Sequence, residues 1–297
     1  PFHYVLGNHD IRMGTRSNEL SKETFRKIFG KEYYSFDEGD VHYVVLDDVF
    51  YYARHYAGYI EESQLEWLEN DLRDVKPGSK VVVFMHIPTW SRAARAGEYG
   101  KEEMNKIVGN RRELYRILEP YDAHLCTAHE HYAENYELSD SLFEHVHAPL
   151  SGLFWQSFWS MDGVPWGYYV YTIKNGDISW YYKAVGQDKS VQYTEYAVGE
   201  DRHKPDCIVA NVWNYDPKWQ VLWYEDGVLQ GEMTKFSGWD TTICNDVDLR
   251  REKEFRWKYI GAGETQHLFY AKPSRPDAKV EIKVIDRFGN VCKPYKN

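Results

Sequence analysis

The sequence lacks any long uninterrupted apolar run, although hydrophobic residues make up 43% of its 297 positions. A helix that crosses a bilayer needs about 20 consecutive apolar residues, so we predict no membrane span. Positive charge is also in short supply, because 36 Lys and Arg stand against 46 Asp and Glu, a formal net charge of −10. Such a chain does not offer a broad cationic surface, and we expect no broad nucleic-acid binding.

Cysteine is scarce, and its four positions are widely separated. The absence of a C-x-x-C pair excludes the usual zinc-finger and redox motifs. Cys207, Cys244 and Cys292 fall in the last third of the sequence, where one disulfide and free thiols are both open alternatives. The first residue is Pro1, with no signal peptide before the apolar segment that follows, and we interpret this start as an internal cut.

Short apolar strands alternate with helical segments over residues 1–185, which is typical of a layered α/β domain. The predicted strands are Phe2–Leu6, His42–Leu46, Val81–Met85 and His124–Thr127. Ser63 to Glu66 has the pattern of a capping box, and Asn110 is the predicted N-cap of a second helix that ends before Pro120.

From about residue 200 the helical pattern gives way to strands and hairpin turns. Trp219–Tyr224 is followed by the turn Glu225–Gly227, and Lys279–Ile285 is a further strand candidate. We therefore predict an α/β domain over residues 1–199 and a small all-β sandwich domain over residues 200–297, joined at the polar stretch 199–205.

Three polar motifs directly follow apolar strands. They are Gly7-Asn8-His9-Asp10, Met85-His86-Ile87-Pro88 and His129-Glu130-His131. Loops at strand ends gather side chains at one edge of a sheet. Imidazole nitrogens and an amide oxygen suit Mn, Fe or Zn, and two such ions close together clamp a phosphate and activate water. Taken singly, each motif also has a structural interpretation as a turn or a packed histidine, but three in order after three strands favour a metal centre.

These motifs resemble those of the calcineurin-like metallophosphoesterases. Val44–Asp47, Gln64–Leu72 and Asp162–Tyr168 are also similar to segments of that family. The resemblance covers about residues 1–185, and residues 205–297 resemble a C-terminal β-domain appended to some bacterial members. It implies a layered metallophosphoesterase sandwich, incomplete at its N-terminus, and export to the periplasm or the medium for the full-length protein.

The resemblance also implies a set of metal ligands. Asn8, His86 and His129 would bind the second ion of a two-ion centre, and His131 would bind the first. The implied cofactors are divalent Mn, Fe or Zn ions.

A proton donor is implied at the same place. His9 would protonate the leaving oxygen of the substrate, and Asp10 would hold its ring. From the residues alone, the alternative interpretation of Asp10 is a helix cap ahead of Ile11.

The sequence departs from the family pattern upstream of Gly7. An Asp-x-His and a Gly-Asp motif normally supply the rest of the first metal site and the bridging carboxylate, and neither is present there. Asp40-Val41-His42 has matching letters, but it comes after the Asn-His-Asp motif and before its strand, where Asp37–Asp40 is a predicted hairpin turn. We therefore expect weak occupancy of the first site and slower hydrolysis than from a chain that includes those motifs. Ala128 replaces the usual Gly, which predicts slight backbone strain beside His129.

The leading functional hypothesis is a hydrolase of phosphomonoesters or phosphodiesters, with a small-molecule, lipid or nucleotide substrate. Aromatic residues crowd segment 154–166, which fits either a stacking wall or core packing. Arg92 and Arg95 are candidates for steering phosphate or for a solvated loop. The alternative is a non-catalytic binding or scaffold protein. A carbohydrate-binding module is a third possibility, for which the candidate platform residues are Trp213, Trp219, Trp223 and Trp239.

Overall fold

The computed structural model describes residues 1–92, 104–275 and 277–296. They pack into two compact units, each formed from separate stretches of the chain. Unit 1 comprises Pro1–Glu130, Asn135–His147 and Ile173–Asp177. Unit 2 comprises His131–Glu134, Ala148–Thr172 and Ile178–Asn297. Within the described part of the chain, no helix is long and apolar enough to cross a membrane.

Unit 1 is built on a six-stranded sheet with the order β1-β2-β5-β6-β8-β7. Its strands are β1 (Tyr34–Glu38), β2 (Val41–Val45), β5 (Lys80–Phe84), β6 (Asp122–Thr127), β7 (Glu134–Ser139) and β8 (Leu142–Val146). The ladders β2/β5, β5/β6 and β6/β8 are parallel, whereas β1 and β2 form an antiparallel hairpin. Asp40 lies in the turn of that hairpin, as predicted. The parallel centre confirms the α/β layered fold.

Helices cover this sheet and share its core. They are α1 (Asn18–Ser21), α2 (Glu23–Phe29), α3 (Glu62–Asp71), a 3-10 turn (Leu72–Asp74) and α4 (Arg111–Leu118), and a small hairpin pairs β3 (Val49–Tyr52) with β4 (His55–Gly58). Leu65 and Leu68 of α3 and Leu114 of α4 lie in one buried cluster with Val81 and Val83 of β5. The strand is apolar on successive positions because helices and neighbouring strands bury it.

The predicted strand at Phe2–Leu6 is wrong. This segment forms no ladder; instead the Tyr4 amide donates to the Tyr34 hydroxyl at 3.1 Å, and the His3 ring stacks on Phe36 at 3.8 Å. Side chains, rather than backbone pairing, attach it to β1.

The helix starts were predicted with mixed success. α3 begins at Glu62, so Ser63 is not its N-cap, and Gln64 instead pairs its side-chain amide with the backbone of Asp47 in two bonds of 2.8 Å. Asn110 is the N-cap residue of α4, but its side chain bonds to the backbone of Ile60.

Unit 2 contains the C-terminal β region. A five-stranded sheet has the order β15-β16-β12-β11-β18, a three-stranded sheet the order β14-β13-β17, and β9 and β10 form a pair. Its strands are β9 (Gly167–Lys174), β10 (Asp177–Ala184), β11 (Val191–Tyr196), β12 (Ile208–Val212), β13 (Gln220–Glu225), β14 (Val228–Glu232), β15 (Thr234–Trp239), β16 (Glu264–Ala271), β17 (Val280–Ile285) and β18 (Lys293–Pro294). Ala210 and Phe269 of the larger sheet share a core with Val221 and Val284 of the smaller one, which confirms the predicted β-sandwich.

One helix interrupts the β region, contrary to the pattern expected from the sequence. α5 (Thr241–Arg250) begins after Asp240, whose side chain accepts from the Ile243 amide at 3.1 Å.

All four cysteines are free thiols. The boundary predicted at residue 199 stays a prediction, while the larger sheet as folded includes β11, which precedes that residue.

Candidate metal centre

His86 and His129 lie just beyond the carboxyl ends of two neighbouring parallel strands. β5 ends at Phe84 and β6 ends at Thr127, and the two strands run in register. The pairing continues past the strands, because the Ala128 amide donates to the His86 carbonyl at 3.0 Å. The prediction that both histidines share one edge of the sheet is therefore confirmed.

Three donor atoms meet at this edge. The Nε2 atom of His86 lies 2.8 Å from Oδ1 of Asn8 and 3.0 Å from Nδ1 of His129. The amide of Asn8 is held from its other side, since Nδ2 donates to the Tyr56 hydroxyl at 3.1 Å. Asn8 and His86 are 78 residues apart in sequence, and only the fold brings them together.

Hydrogen bonding accounts for both short contacts of His86 only if one proton is shared between two partners. An imidazole nitrogen offers a single in-plane position, either a proton or a lone pair, and here two partners compete for it. A cation among the three atoms removes the conflict, because it accepts a lone pair from each. Ligands about 2.1 Å from one ion, at right angles to each other, are about 3 Å apart, which matches this spacing. The three residues fit a transition-metal ion.

The turn that carries Asn8 is tightened by Asp10. The Gly7 amide donates to Oδ2 of Asp10 at 2.8 Å, and the Asp10 amide returns a bond to the Gly7 carbonyl at 3.0 Å. His9 is exposed at the tip of this turn. Residues 8–11 form a turn and a bend, so no helix begins at Ile11 for Asp10 to cap. Asp10 as the partner of the His9 ring stays a prediction.

Asp48 anchors the loop that carries His86, a role that no local sequence pattern predicted. Its carboxylate is fully buried and accepts from the amides of His86 at 3.2 Å and Ile87 at 2.6 Å. Burial and the nearby Asp47 raise the pKa of Asp48 well above its usual range, while the two amide donors oppose that rise.

A second buried carboxylate, Glu144 of β8, was also missed. It accepts from the Thr89 amide at 2.7 Å, the Thr89 hydroxyl at 2.5 Å, the Trp90 amide at 2.9 Å and the Thr127 hydroxyl at 3.0 Å. Burial raises the pKa of Glu144 to about 7 against the lowering effect of these donors. Glu144 thereby joins the loop after His86 to the end of β6.

Comparison with known proteins gives a consistent result. The family described as "Calcineurin-like phosphoesterase" matches residues 1–133, and "C terminal of Calcineurin-like phosphoesterase" matches residues 144–292. The chain belongs to the calcineurin-like phosphoesterase family. Together the two matches cover most of the sequence.

Curated relatives in this family align over a shorter stretch. "Serine/threonine-protein phosphatase CPPED1" of Danio rerio is 34% identical over 94 residues, which is 31% of this chain and 30% of the relative. The proteins of the same name from Mus musculus and Homo sapiens are each 32% identical over 90 residues, 30% of this chain and 28% of theirs. The aligned part thus spans less than a third of these relatives.

Backbone strain in this calcineurin-like chain falls on the histidines themselves. His129 and His131 both have φ of 61°, in the left-handed region that L-residues avoid, whereas Ala128 is not among the positive-φ residues. The strain expected at Ala128 is therefore found one residue later, at a predicted ligand. Strained backbone of this kind concentrates at functional sites, where the surrounding contacts hold it in place.

The fourth predicted ligand is placed differently from the other three. His131 belongs to unit 2, where its ring stacks on Phe154 at 4.4 Å, and its convergence with Asn8, His86 and His129 stays a prediction. Across residues 1–92, 104–275 and 277–296, no group of three or more His, Cys, Asp or Glu could hold a metal. The three residues that converge are two histidines and an asparagine, so they contain only two side chains of those four types.

The aromatic segment after His131 divides into two parts. Trp159 is buried in the core of unit 2, as expected for core packing, whereas Trp155 is 69% exposed. Trp213 and Trp219 are also buried, which removes two of the four candidates for a carbohydrate platform. Arg92 is half-buried, and Arg95 lies outside the described residues.

Proposed function

We propose that this protein hydrolyses phosphomonoesters or phosphodiesters with a two-ion metal centre. The observation that supports this best is the convergence of Asn8, His86 and His129. Nε2 of His86 faces both Oδ1 of Asn8 and Nδ1 of His129, so the two atoms compete for a single ring proton. Membership of the calcineurin-like phosphoesterase family supports the same chemistry.

Each residue has a stated role in the proposal. Asn8, His86 and His129 hold the second ion, and His131 contributes to the first. When bound, the ions supply Lewis-acid charge at the phosphate and lower the pKa of the attacking water. His9 is exposed beside Asn8, where its imidazole donates a proton to the leaving alcohol oxygen. Tyr56 orients the Asn8 side chain and Asp48 orients the His86 backbone, because each makes a hydrogen bond to that residue. Residues that bond to metal ligands commonly orient them in this way.

Metal binding tests the proposal. We expect the chain to bind Mn²⁺ or Zn²⁺ in a titration followed by calorimetry, and His86→Ala and His129→Ala to weaken that binding by well over about tenfold. His55→Ala removes an exposed histidine of β4 and is the matched control. Equal binding by all four proteins would refute the assigned ligands, and absence of binding by the wild type would favour the binding-protein alternative.

Substrate class is tested separately. The relatives are named serine/threonine-protein phosphatases, so a phosphoserine peptide is one substrate to assay beside nitrophenyl phosphate mono- and diesters. We expect His9→Ala to slow hydrolysis most for substrates with poor leaving groups, because the loss of a proton donor matters most there. A uniform loss across leaving groups would contradict the role given to His9.

A further inference from the structure

A buried carboxylate in unit 2 holds the backbone just after His131. Asp162 is fully buried, and its Oδ2 atom accepts from the Ala133 amide at 2.7 Å. Its Oδ1 atom accepts from the Val164 amide at 3.2 Å. Bonds from an amide to a carboxylate are among the stronger ones in proteins, so Asp162 fixes the exit of the turn that begins at His131.

The C-terminal β region supplies the support for Asp162. His267 of β16 places Nε2 at 3.3 Å from Oδ2 of Asp162 and Nδ1 at 2.6 Å from Oδ1 of Asn211 on β12. The Asn211 amide donates to the Asp162 carbonyl at 2.9 Å and to Oδ2 of Asp240 at 2.8 Å. These two acceptors fix the orientation of the Asn211 amide, so its oxygen accepts from Nδ1 of His267. Nε2 donates to Asp162 when that ring nitrogen also carries a proton.

Packing supports the same turn from a second side. A Cβ atom added at Gly263, just before β16, would lie 1.8 Å from the Tyr132 hydroxyl, so the Tyr132 side chain lies directly on the glycine backbone. The Gly263 amide donates to the Met161 carbonyl at 2.8 Å, which ties this segment to the one that ends at Asp162.

The turn needs such support because its backbone is strained. His131 has φ of 61° and a side chain far larger than that of glycine, and a residue in this region persists only where its surroundings over-determine it. Asp162 contacts Ala133 and Gly263 contacts Tyr132, both within two residues of His131, and His267 acts through Asp162.

We propose that the C-terminal β region is a positioning element for His131, acting through His267, Asn211 and Asp162 on the amide of Ala133. The proposal rests on the proposed function only in giving His131 a metal to bind. His267 and Asp162 are positioning residues and take no part in the chemical step.

Amide hydrogen exchange tests the positioning step without reference to metal. In His267→Ala we expect the Ala133 amide to exchange at least about tenfold faster under native conditions, because its acceptor is no longer held. His267→Gln retains a donor and should restore part of the protection. Asp216→Asn alters another fully buried carboxylate of unit 2, bonded to Lys218 and Trp219, and should leave Ala133 unchanged.

A second variant covers the case in which His267→Ala does not fold. Gly263→Ala reaches the same turn through Tyr132 alone, and it too should speed exchange at Ala133. Unchanged exchange at Ala133 in the folded variants, or equal acceleration in Asp216→Asn, would overturn the proposal.

Metal titration then separates the proposal from the function on which it rests. With Co²⁺ as the probe, His267→Ala should lower affinity by roughly 10-fold or more, as loss of an outer partner commonly does, and Asp216→Asn should not. Faster exchange at Ala133 in His267→Ala, together with a wild type that binds no Co²⁺, would support the positioning role and refute the proposed function. Faster exchange with unchanged Co²⁺ affinity would overturn the claim that the positioning serves the metal.

Discussion

Glu144 gives the stability of this protein a defined dependence on pH. Its carboxyl group is fully buried on β8, and burial raises its pKa from 4.5 to about 7. A carboxyl group with a raised pKa in the folded state holds its proton more tightly there than in the unfolded chain. Its contribution to stability is therefore fully present below pH 4.5 and is lost as the pH rises through about 7.

The size of the effect follows from the shift. Each unit of pKa corresponds to about 1.4 kcal/mol, so a shift from 4.5 to about 7 is worth about 3 kcal/mol in total. Between pH 5 and pH 8 the free energy of unfolding should fall by about 2–3 kcal/mol from this group alone. The group is fully buried, so solvent screening does not reduce the figure appreciably.

Other buried groups also titrate, so the experiment compares two proteins. Burial lowers the pKa of His147 to about 3, and its contribution is lost as the pH falls below 6.5, which is the opposite slope. Urea unfolding of wild type and Glu144→Gln at each pH isolates Glu144, because every other group is shared. The wild type should lose about 2–3 kcal/mol relative to the variant between pH 5 and pH 8.

An exposed carboxyl serves as the control. Glu66→Gln on the solvent side of α3 removes one charge without touching a buried network. A difference between wild type and Glu144→Gln that does not change with pH would refute the reasoning, as would the same slope in Glu66→Gln.

Two further variants test the surroundings of the proposed metal site. Asp48→Ala leaves the amides of His86 and Ile87 without their buried acceptor, and at roughly 1–3 kcal/mol for each we expect a loss of about 2–6 kcal/mol in urea unfolding; wild-type stability would contradict this. In Gly7→Ala the added Cβ lies 3.2 Å from Cε1 and Nδ1 of His86, so the ring must shift, and Zn²⁺ titration should show roughly 10-fold weaker binding. Gly109→Ala, whose nearest contact is 3.6 Å, is the control, and equal affinity in the two variants would rule out the steric argument.

The convergence of His86, His129 and Asn8 could be predicted from the sequence because their placement depends on a regular feature. Val81 to Phe84 is apolar at every position, and the carboxyl ends of parallel strands meet at one edge, so a histidine after each strand has a known location. Asn8 joins them through a recognisable motif. These residues needed no knowledge of the packing in detail.

The supporting carboxylates were not predicted because their partners are distant backbone amides. Asp48 and His86 are 38 residues apart, and Glu144 and Thr89 are 55 apart, so no local spacing links them. A charged residue within the apolar strand Leu142–Val146 was an available signal of a buried network. Helix α5 was missed because it is short and follows strands, and the Asp240 cap was its main local mark.

The chain passes between the two units five times, at residues 130–131, 134–135, 147–148, 172–173 and 177–178. A single cut therefore cannot yield two fragments that each contain one complete unit. A polypeptide starting at residue 200 would keep His267 and Asn211 but lose Asp162, and it would also lack β11 from its main sheet. Most of the C-terminal β region is contiguous in sequence. Its link to the segment after His131, however, runs through Asp162, which lies in the separate stretch Ala148–Thr172.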